Sequence, residues 1–172
     1  RRLEALLEYD VVFTPRQSNI EDFKNIGVKQ VEYLGFGYEH KHFSSSQELC
    51  EQDIDLLFVG GADKDRVSLL GKLGLFAKDL CVAGGYWERY SKFSNGSFGL
   101  CTPAETRELT QRAKINLILT RRANRDGHVM RSFEAAACGG CILAEDTAEH
   151  RQIYGDTVLY FGDSAEMIFN IS

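Results

Sequence analysis

The sequence predicts an α/β protein with a doubly wound parallel sheet, and two patterns lead to that prediction. Short apolar runs of strand length recur along the chain, and most are continuous rather than alternating with polar residues. Continuous runs are typical of strands that are buried on both faces. Helix-like segments separate these runs, and a chain that alternates strand and helix builds a parallel sheet with helices on either side.

The predicted elements follow from these runs in chain order. The strands are DVVFT (10–14), VEYLG (31–35), DLLFVGG (55–61), LCVAGG (80–85), INLILT (115–120), GCILAE (140–145) and TVLYFG (157–162). The helices are 18–26, 64–73, 103–113, 130–138, 147–153 and 164–170. Several helices open near a Ser, Thr or Asp that can cap the first turn. Two stretches interrupt the alternation, the Ser-rich 40–51 and the Gly- and aromatic-rich 84–102.

Length and composition limit the functions that the chain could have. Its 172 residues fit one domain, or one domain with a small extension. The formal charge of −5 argues against general attraction to nucleic acid or anionic lipid. No apolar run reaches the roughly 18 residues of a transmembrane helix, and the first residues do not resemble a secretory signal. Five irregularly spaced cysteines argue against a disulfide framework. We therefore expect a cytoplasmic domain excised from a longer chain, with peripheral membrane association of the full-length protein left open.

The first candidate binding loop follows the strand at 55–61. In open parallel sheets, ligands bind beyond the carboxyl ends of the strands, where backbone N–H groups and helix N-termini meet. Gly60, Gly61 and Ala62 predict a tight turn there, with Arg66 on the first turn of the next helix. Amides and a guanidinium together could hold a phosphate. The alternative is an ordinary glycine turn beside a solvated arginine.

A second candidate loop, RRANRDGHVMR, follows the strand at 115–120. Its charged residues are Arg121, Arg122, Arg125, Asp126 and Arg131. Four positive charges against one negative charge leave a local +3, which predicts an anionic partner because like charges gathered at one loop repel each other. The alternative is a solvated loop whose arginines point outward. His128 in this loop could donate to a phosphate or approach a reacting sugar carbon, or it could be a plain solvated histidine.

Glu134 falls within the first turns of the next helix. A carboxylate near that positive helix end could accept two hydroxyl groups of a ribose. A capping glutamate that satisfies the helix N-terminus is an equally good interpretation.

The third candidate loop is Gly84-Gly85-Tyr86-Trp87. It offers a flexible backbone and two aromatic rings that could receive a base or a sugar. Trp87 could equally be a core or domain-interface residue.

Two pairs of potential metal ligands are weak candidates for a metal site. Cys138 and Cys141 have the spacing of a zinc or redox pair, and His40 and His42 flank a lysine. Neither pair has the further ligands that a structural zinc site needs. We therefore predict that the two cysteines are buried residues at a helix end and a strand, and that the protein uses no metal.

These motifs together resemble a known family. KINLILTRRANRDGHVMRSFEAAACGGCILAED resembles the C-terminal domain of group 1 glycosyltransferases with the GT-B fold, particularly the spore-maturation-type subgroup, in which an Arg-x-Phe-Glu-Ala-x-Ala-Cys-Gly run recurs. Residues 10–43 resemble the linker that leads into that domain, and DLLFVGGADKDR resembles its first strand and phosphate turn. The resemblance implies a Rossmann-like half of a GT-B fold, with 1–50 as linker and end of the N-terminal half and 51–172 as the nucleotide-sugar-binding domain.

The resemblance also implies roles for individual residues. In these retaining enzymes, two acidic residues with seven residues between them frame the donor: the second, matching Glu134, holds the ribose, and the first, matching Asp126, approaches the sugar where the family usually has Glu. Arg66 matches the basic residue that neutralises the diphosphate, and the usual lysine shortly after it is missing. Lys72 is the nearest lysine, but six residues along a helix turn it away from Arg66, so Arg125 and Arg131 are the candidates to compensate. The remaining implied donor contacts are Gly60, Gly61, Gly85, Tyr86, His128, Val129 and Arg131.

The function implied by the resemblance is transfer of a sugar from a nucleotide-diphosphate sugar, UDP-linked or otherwise, to an acceptor hydroxyl. The nucleoside diphosphate leaves while the acceptor attacks the same face, and arginines and helix-end amides stabilise the leaving charge. We expect Arg66→Ala or Glu134→Ala to abolish transfer while leaving the fold intact, and the isolated chain, without its N-terminal domain, to transfer nothing. The alternatives are a GT-B nucleotide-sugar epimerase or phosphorylase, and a non-catalytic module that binds a nucleotide or a protein.

Overall fold

The computed structural model describes residues 3–45, 51–73, 80–93 and 97–171. The strands are β1 (Val12–Thr14), β2 (Val31–Tyr33), β3 (Ile54–Val59), β4 (Leu80–Ala83), β5 (Ser97–Phe98), β6 (Ala113–Ile118), β7 (Ile142–Glu145) and β8 (Leu159–Phe161). The α-helices are α1 (Gln17–Asn25), α2 (Lys64–Leu73), α3 (Pro103–Arg112), α4 (Met130–Ala137), α5 (Ala148–Tyr154) and α6 (Ser164–Ile171). Short 3-10 helices form at Glu4–Glu8, Trp87–Arg89 and Arg122–Asn124.

The predicted elements are confirmed, with their ends within two residues of the predicted positions. Only β5 was not predicted among the described strands, because it has two residues and lies in the stretch at 84–102. Residues 46–50 and 94–96, which belong to the two interrupting stretches, lie outside the described residues.

The main sheet has six strands in the order β5-β4-β3-β6-β7-β8, and every neighbouring pair is parallel. Strands β1 and β2 pair with each other in a separate parallel ribbon. From β3 the chain builds outward to β4 and β5, and it then returns to place β6 on the other side of β3. The carboxyl ends of β3 and β6 therefore border the crevice where ligands bind in open α/β sheets.

Helices cover both faces of this sheet, as the separate hydrophobic clusters on its two sides show. On one face Leu56 and Phe58 pack with Leu70 of α2 and Met167 of α6. On the other face Leu57 packs with Leu109 of α3, and Ile118 packs with Ala135 of α4 and Tyr154 of α5. Side chains of a strand alternate between faces, so the continuous apolar runs supply both cores. The doubly wound α/β prediction is confirmed.

Candidate functional site

A cavity of about 370 Å³ lies at the point where the loops after β3 and β6 diverge. It is lined by residues of both loops and of the start of α4, among them Gly60, Arg66, Arg121, Asp126 and Arg131. A larger cavity of about 930 Å³ adjoins it and shares Arg66 and Arg121. A third cavity, of about 610 Å³, is lined by Arg131 and Glu134 together with residues of α3 and of the segment after β2. The structure thus places several of the predicted site residues at one edge of the sheet.

The glycine turn after β3 is held by the loop after β4. The N–H of Gly60 donates to the Ala83 carbonyl at 2.7 Å, and the N–H of Ala62 donates to the Gly85 carbonyl at 2.9 Å. Gly84 has a φ of +128°, and a Cβ at that position would lie 2.4 Å from the Gly60 oxygen. This close approach requires glycine. The turn is therefore fixed before any ligand binds.

The two aromatic residues after Gly85 have different environments. Trp87 is fully buried, and its Nε1–H donates to the Gly60 carbonyl at 2.8 Å. Trp87 is therefore a core residue rather than a platform for a base. Tyr86 is exposed, with a left-handed φ of 75°, and the guanidinium of Arg89 lies 4.4 Å from its ring centroid.

Arg66 is a buried residue that connects the two loops of the crevice. Its side chain donates from Nη1 to the Gly61 carbonyl at 3.0 Å and from Nη2 to the Leu119 carbonyl at 3.2 Å, while Nε has no hydrogen-bond partner. Burial lowers the pKa of Arg66, and the charge of Asp63 opposes that shift. Arg66→Ala would remove both hydrogen bonds, of which the one to Leu119 connects the two loops. That this change leaves the fold intact stays a prediction.

The arginine-rich loop is not the uncompensated +3 cluster that the sequence predicts. Carboxylates from other elements lie beside three of its arginines, and Glu134 lies beside the fourth. The pairs are Arg121–Asp63 at 3.6 Å, Arg122–Glu145 at 3.7 Å, Arg125–Asp22, and Arg131–Glu134 at 2.7 Å. Arg125 is directed toward α1, where it also donates to Asn19 at 3.3 Å. Arg125 therefore does not supply the missing second cation of the crevice.

Asp126 is paired with an arginine that the sequence analysis did not consider. Arg16, immediately before α1, donates from Nε to Asp126, whose side chain is only 5% exposed. Asn124 also donates to this carboxylate at 3.3 Å. A sugar that was to contact Asp126 would meet a carboxylate already engaged by Arg16.

His128 is enclosed rather than solvated, with 2% of its surface exposed. The backbone N–H of Phe36 donates to its Nε2 at 3.3 Å, so the ring proton is on Nδ1, which donates to Glu149. The rings of Tyr33, Phe36 and Phe133 pack around it at centroid distances of 5.4 to 6.4 Å. Because both ring nitrogens are bonded within the protein, the expected contact of this side chain with a phosphate or a sugar carbon is wrong.

The start of α4 is organised by Ser132. The N–H of Val129 donates to the Ser132 hydroxyl at 3.2 Å, and that hydroxyl donates to Nε2 of His150 at 3.0 Å. The tautomer follows from the other ring nitrogen of His150, which donates to the Glu145 carbonyl at 2.7 Å. The amide of Val129 is therefore engaged within the protein. Helix geometry leaves the next amides, of Met130 and Arg131, without acceptors inside the helix, and both residues line the crevice.

Glu134 is a buried carboxylate at the third cavity, with 6% exposed. Its Oε2 lies 2.7 Å from Nη1 of Arg131, but the two atoms lack the alignment of a hydrogen bond, and neither has another partner. Burial raises the pKa of Glu134, and the charge of Arg131 opposes that shift. Oε2 therefore accepts no hydrogen bond, although Arg131 lies beside it as its counter-ion.

Comparison with known proteins places this arrangement in a family. A family model described as "Glycosyl transferase-like" matches residues 64–172, which is more than half of the chain. The chain belongs to this glycosyl transferase-like family. The description of the family refers to glycosyl transfer. No curated protein matches the chain.

Solved structures show the fold of this glycosyl transferase-like chain. Among 44 matching chains is sucrose-phosphate synthase from Thermosynechococcus elongatus, with a TM-score of 0.68 and 14% sequence identity. The match covers 99% of this chain and 50% of the synthase, so the chain spans half the length of that relative. The likeness shows a Rossmann-like half of a GT-B fold, as the sequence predicts. None of the described helices is long and apolar enough to cross a membrane.

The prediction that Cys138 and Cys141 are both buried in this glycosyl transferase-like chain is confirmed only in part. Cys138 is buried after the end of α4, but Cys141 is exposed before β7. Within the described ranges, no three or more His, Cys, Asp or Glu side chains are grouped so that they could hold a metal ion. Metal-free catalysis itself stays a prediction.

Proposed function

We propose that this chain is the donor-binding part of a retaining GT-B glycosyltransferase, which moves a sugar from a nucleotide-diphosphate sugar to an acceptor hydroxyl. One observation carries the proposal: Gly60 of the glycine turn, the buried Arg66 and the first turn of α4 border the same crevice. The amides of Gly60 and Ala62 already donate to protein carbonyls, so the first turn of α4 supplies the amides. Rigid amides and a cation suit a leaving diphosphate, because they stabilise charge without reorganising during the reaction.

The diphosphate is proposed to bind between the glycine turn and the start of α4. Arg66 supports this position because its Nε is buried without a hydrogen-bond partner. The amides of Met130 and Arg131 add the positive end of a helix that is eight residues long. A phosphate oxygen would give these groups the acceptor that they otherwise lack.

The ribose is proposed to bind at Glu134. A carboxylate with a free acceptor oxygen gains more from two hydroxyl donors than from a solvated anion, because it is already desolvated. Glu134 also pairs with Arg131, whose charge opposes the rise in the pKa of Glu134 that burial causes. The base would then lie toward the loop of Gly85 and Tyr86, whose exposed ring is the aromatic surface that the loop offers.

The remaining parts of the proposal concern the whole protein. Residues 1–50 are proposed as linker and end of an N-terminal half, and 51–172 as the nucleotide-sugar domain of the spore-maturation-type subgroup. The acceptor would bind to the N-terminal domain, so the isolated chain would bind a nucleotide and transfer nothing. UDP is the first nucleotide to test as the carrier of the sugar. The reaction is proposed to need no metal, and the protein is proposed to be cytoplasmic.

Calorimetry on this chain with UDP, GDP, ADP and inorganic pyrophosphate tests the proposal. We expect one nucleoside diphosphate to bind, and Glu134→Gln to weaken it about tenfold or more, the effect of losing hydrogen bonds to a charged group. Pyrophosphate has no ribose, so Glu134→Gln should change its affinity much less. The matched control is Glu108→Gln, a change at a glutamate on α3 whose side chain is 65% exposed. Absence of binding by all four ligands would contradict the proposal and favour an interaction module.

A further inference from the structure

Two arginines from different loops meet at one carboxylate oxygen. Nε of Arg66 lies 3.7 Å from Oδ2 of Asp63, and Nε of Arg121 lies 3.6 Å from the same atom. Arg66 belongs to α2, after β3, and Arg121 follows β6. The two guanidinium groups therefore meet across the point where the strand order reverses.

Arg121 also lies against the glycine turn. A Cβ at Gly61 would lie 3.7 Å from Nη2 of Arg121, so its guanidinium lies beside the backbone at which a phosphate is proposed to bind. Both arginines line the crevice and the larger adjoining cavity. The other candidates for a second cation are less well placed: Arg125 pairs with Asp22 and Arg131 with Glu134.

The carboxylate between them neutralises charge without completing their hydrogen bonds. Neither Nε approaches Asp63 closely enough for a hydrogen bond, and Nε of Arg66 is buried without a partner. The other oxygen of Asp63 caps α2 by accepting from the Arg66 amide at 3.0 Å. Two neighbouring cations repel each other, so an anion between them is needed even when no ligand is present.

We propose that Arg66 and Arg121 form an arginine pair that holds the donor diphosphate, and that Asp63 is the internal counter-ion of this pair when the donor is absent. The inference rests on the proposed function. It adds the identity of the second cation and of the group that weakens diphosphate binding. Arg121 thus replaces, from another loop, the cation that the sequence lacks after Arg66. Asp63 lowers the affinity for the diphosphate because its negative charge stays beside the phosphates.

An affinity increase gives the sharpest test. Asp63→Asn removes the negative charge and keeps a side chain that caps helices well, so α2 should remain intact. We expect calorimetry to show that inorganic pyrophosphate and the best nucleoside diphosphate bind about two- to fivefold more tightly, the range for partly exposed charges. Arg121→Gln should weaken both ligands, and the gain from Asp63→Asn should shrink when both changes are combined.

A matched control is available at the other end of β3. Asp53 precedes that strand and accepts from Nε and Nη2 of Arg112 at 2.8 and 2.6 Å, so Asp53→Asn makes the same charge change at a carboxylate that is paired with an arginine away from the crevice. It should leave the affinity for pyrophosphate nearly unchanged. If the ligands bind but neither Asp63→Asn nor Arg121→Gln alters their affinity, the proposal of an arginine pair is wrong, while the proposed donor site is not contradicted. If no ligand binds the parent chain or Asp63→Asn, the proposed function itself is wrong.

Discussion

Arg16 and Asp126 form an ion pair that connects the segment before α1 to the loop after β6, across 110 positions of sequence. A second pair beside it, Arg125 with Asp22, connects the same loop to α1. The hydroxyl of Ser18 also donates to the Arg125 carbonyl at 3.3 Å. The loop that borders the crevice is therefore fixed by the segment expected to be a linker.

The Arg16–Asp126 pair should couple these two segments energetically. Arg16→Ala leaves a nearly buried carboxylate without its cation, and we expect the free energy of unfolding to fall by about 1.5 to 3 kcal/mol. Urea unfolding of both single variants and the double variant Arg16→Ala/Asp126→Ala measures the coupling. The double variant should lose less stability than the sum of the single changes, by at least about 0.5 kcal/mol. Strictly additive losses would show that the pair contributes nothing.

The sheet and its helices could be predicted because each element carries its own signal. Continuous apolar runs identify buried strands, and capping residues such as Thr102, which forms a capping box with Glu105, identify helix starts. The two-residue β5 has neither signal. It pairs with β4 at Ser97 and Phe98, and the N–H of Gly84, just after β4, donates to the carbonyls of Phe98 and Gly99.

The site could be predicted only where one loop supplies all of its parts. The glycine turn and Arg66 are close in sequence, and they lie together in the structure. The counter-ions Asp22, Asp63 and Glu149 come from other elements, and no local pattern indicates which arginine or histidine they meet. The burial of His128 is unpredictable for the same reason, because the residues that enclose it include Tyr33 at the end of β2 and Phe36 just after that strand.

The His128–Glu149 pair should contribute to stability rather than to ligand binding. Glu149→Ala leaves the buried Nδ1–H of His128 without an acceptor, and we expect a loss of about 1 to 3 kcal/mol in the free energy of unfolding. Glu149→Gln keeps an amide oxygen that can accept this hydrogen bond, so it should lose less. Nitrogen-15 NMR of the imidazole should show the Nδ1–H tautomer in the parent protein. An Nε2–H tautomer, or an Ala variant as stable as the parent, would disprove the assignment.

Gly84 should tolerate no side chain, because two constraints act on it together. Its φ is +128°, and a Cβ would lie 2.4 Å from the Gly60 oxygen, which is backbone of the phosphate turn. We expect Gly84→Ala to lower the free energy of unfolding by more than about 1 kcal/mol and to weaken diphosphate binding by displacing that turn. Gly99→Ala is the matched control, because nothing lies within 4 Å of its Cβ position, and it should change stability by less than about 0.5 kcal/mol. Equal effects of both variants on unfolding would contradict this reading of Gly84.

The buried His150 should make stability depend on pH. Burial lowers the pKa of His150 from its ordinary value of 6.5, although the Glu145 carbonyl and the charges of Glu145 and Glu149 oppose that shift. As the pH falls, His150 of the unfolded chain therefore takes up a proton near pH 6.5, whereas His150 of the folded protein takes it up only at a lower pH. The contribution of the neutral ring is complete above about pH 6.5, and it is lost as the pH falls from there through the lower pKa of the folded state.

Urea unfolding at pH 7.5 and 5.5 should therefore show a loss of stability at the lower pH, and His150→Gln should reduce that loss. The comparison isolates His150 because the other titrating groups are common to both proteins. Among them, Glu134 acts in the opposite direction, since burial raises its pKa and the folded state then binds a proton more readily than the unfolded chain. If the parent and His150→Gln lose the same free energy between the two pH values, the buried ring does not control this dependence, and its bonds to Ser132 and Glu145 serve packing alone.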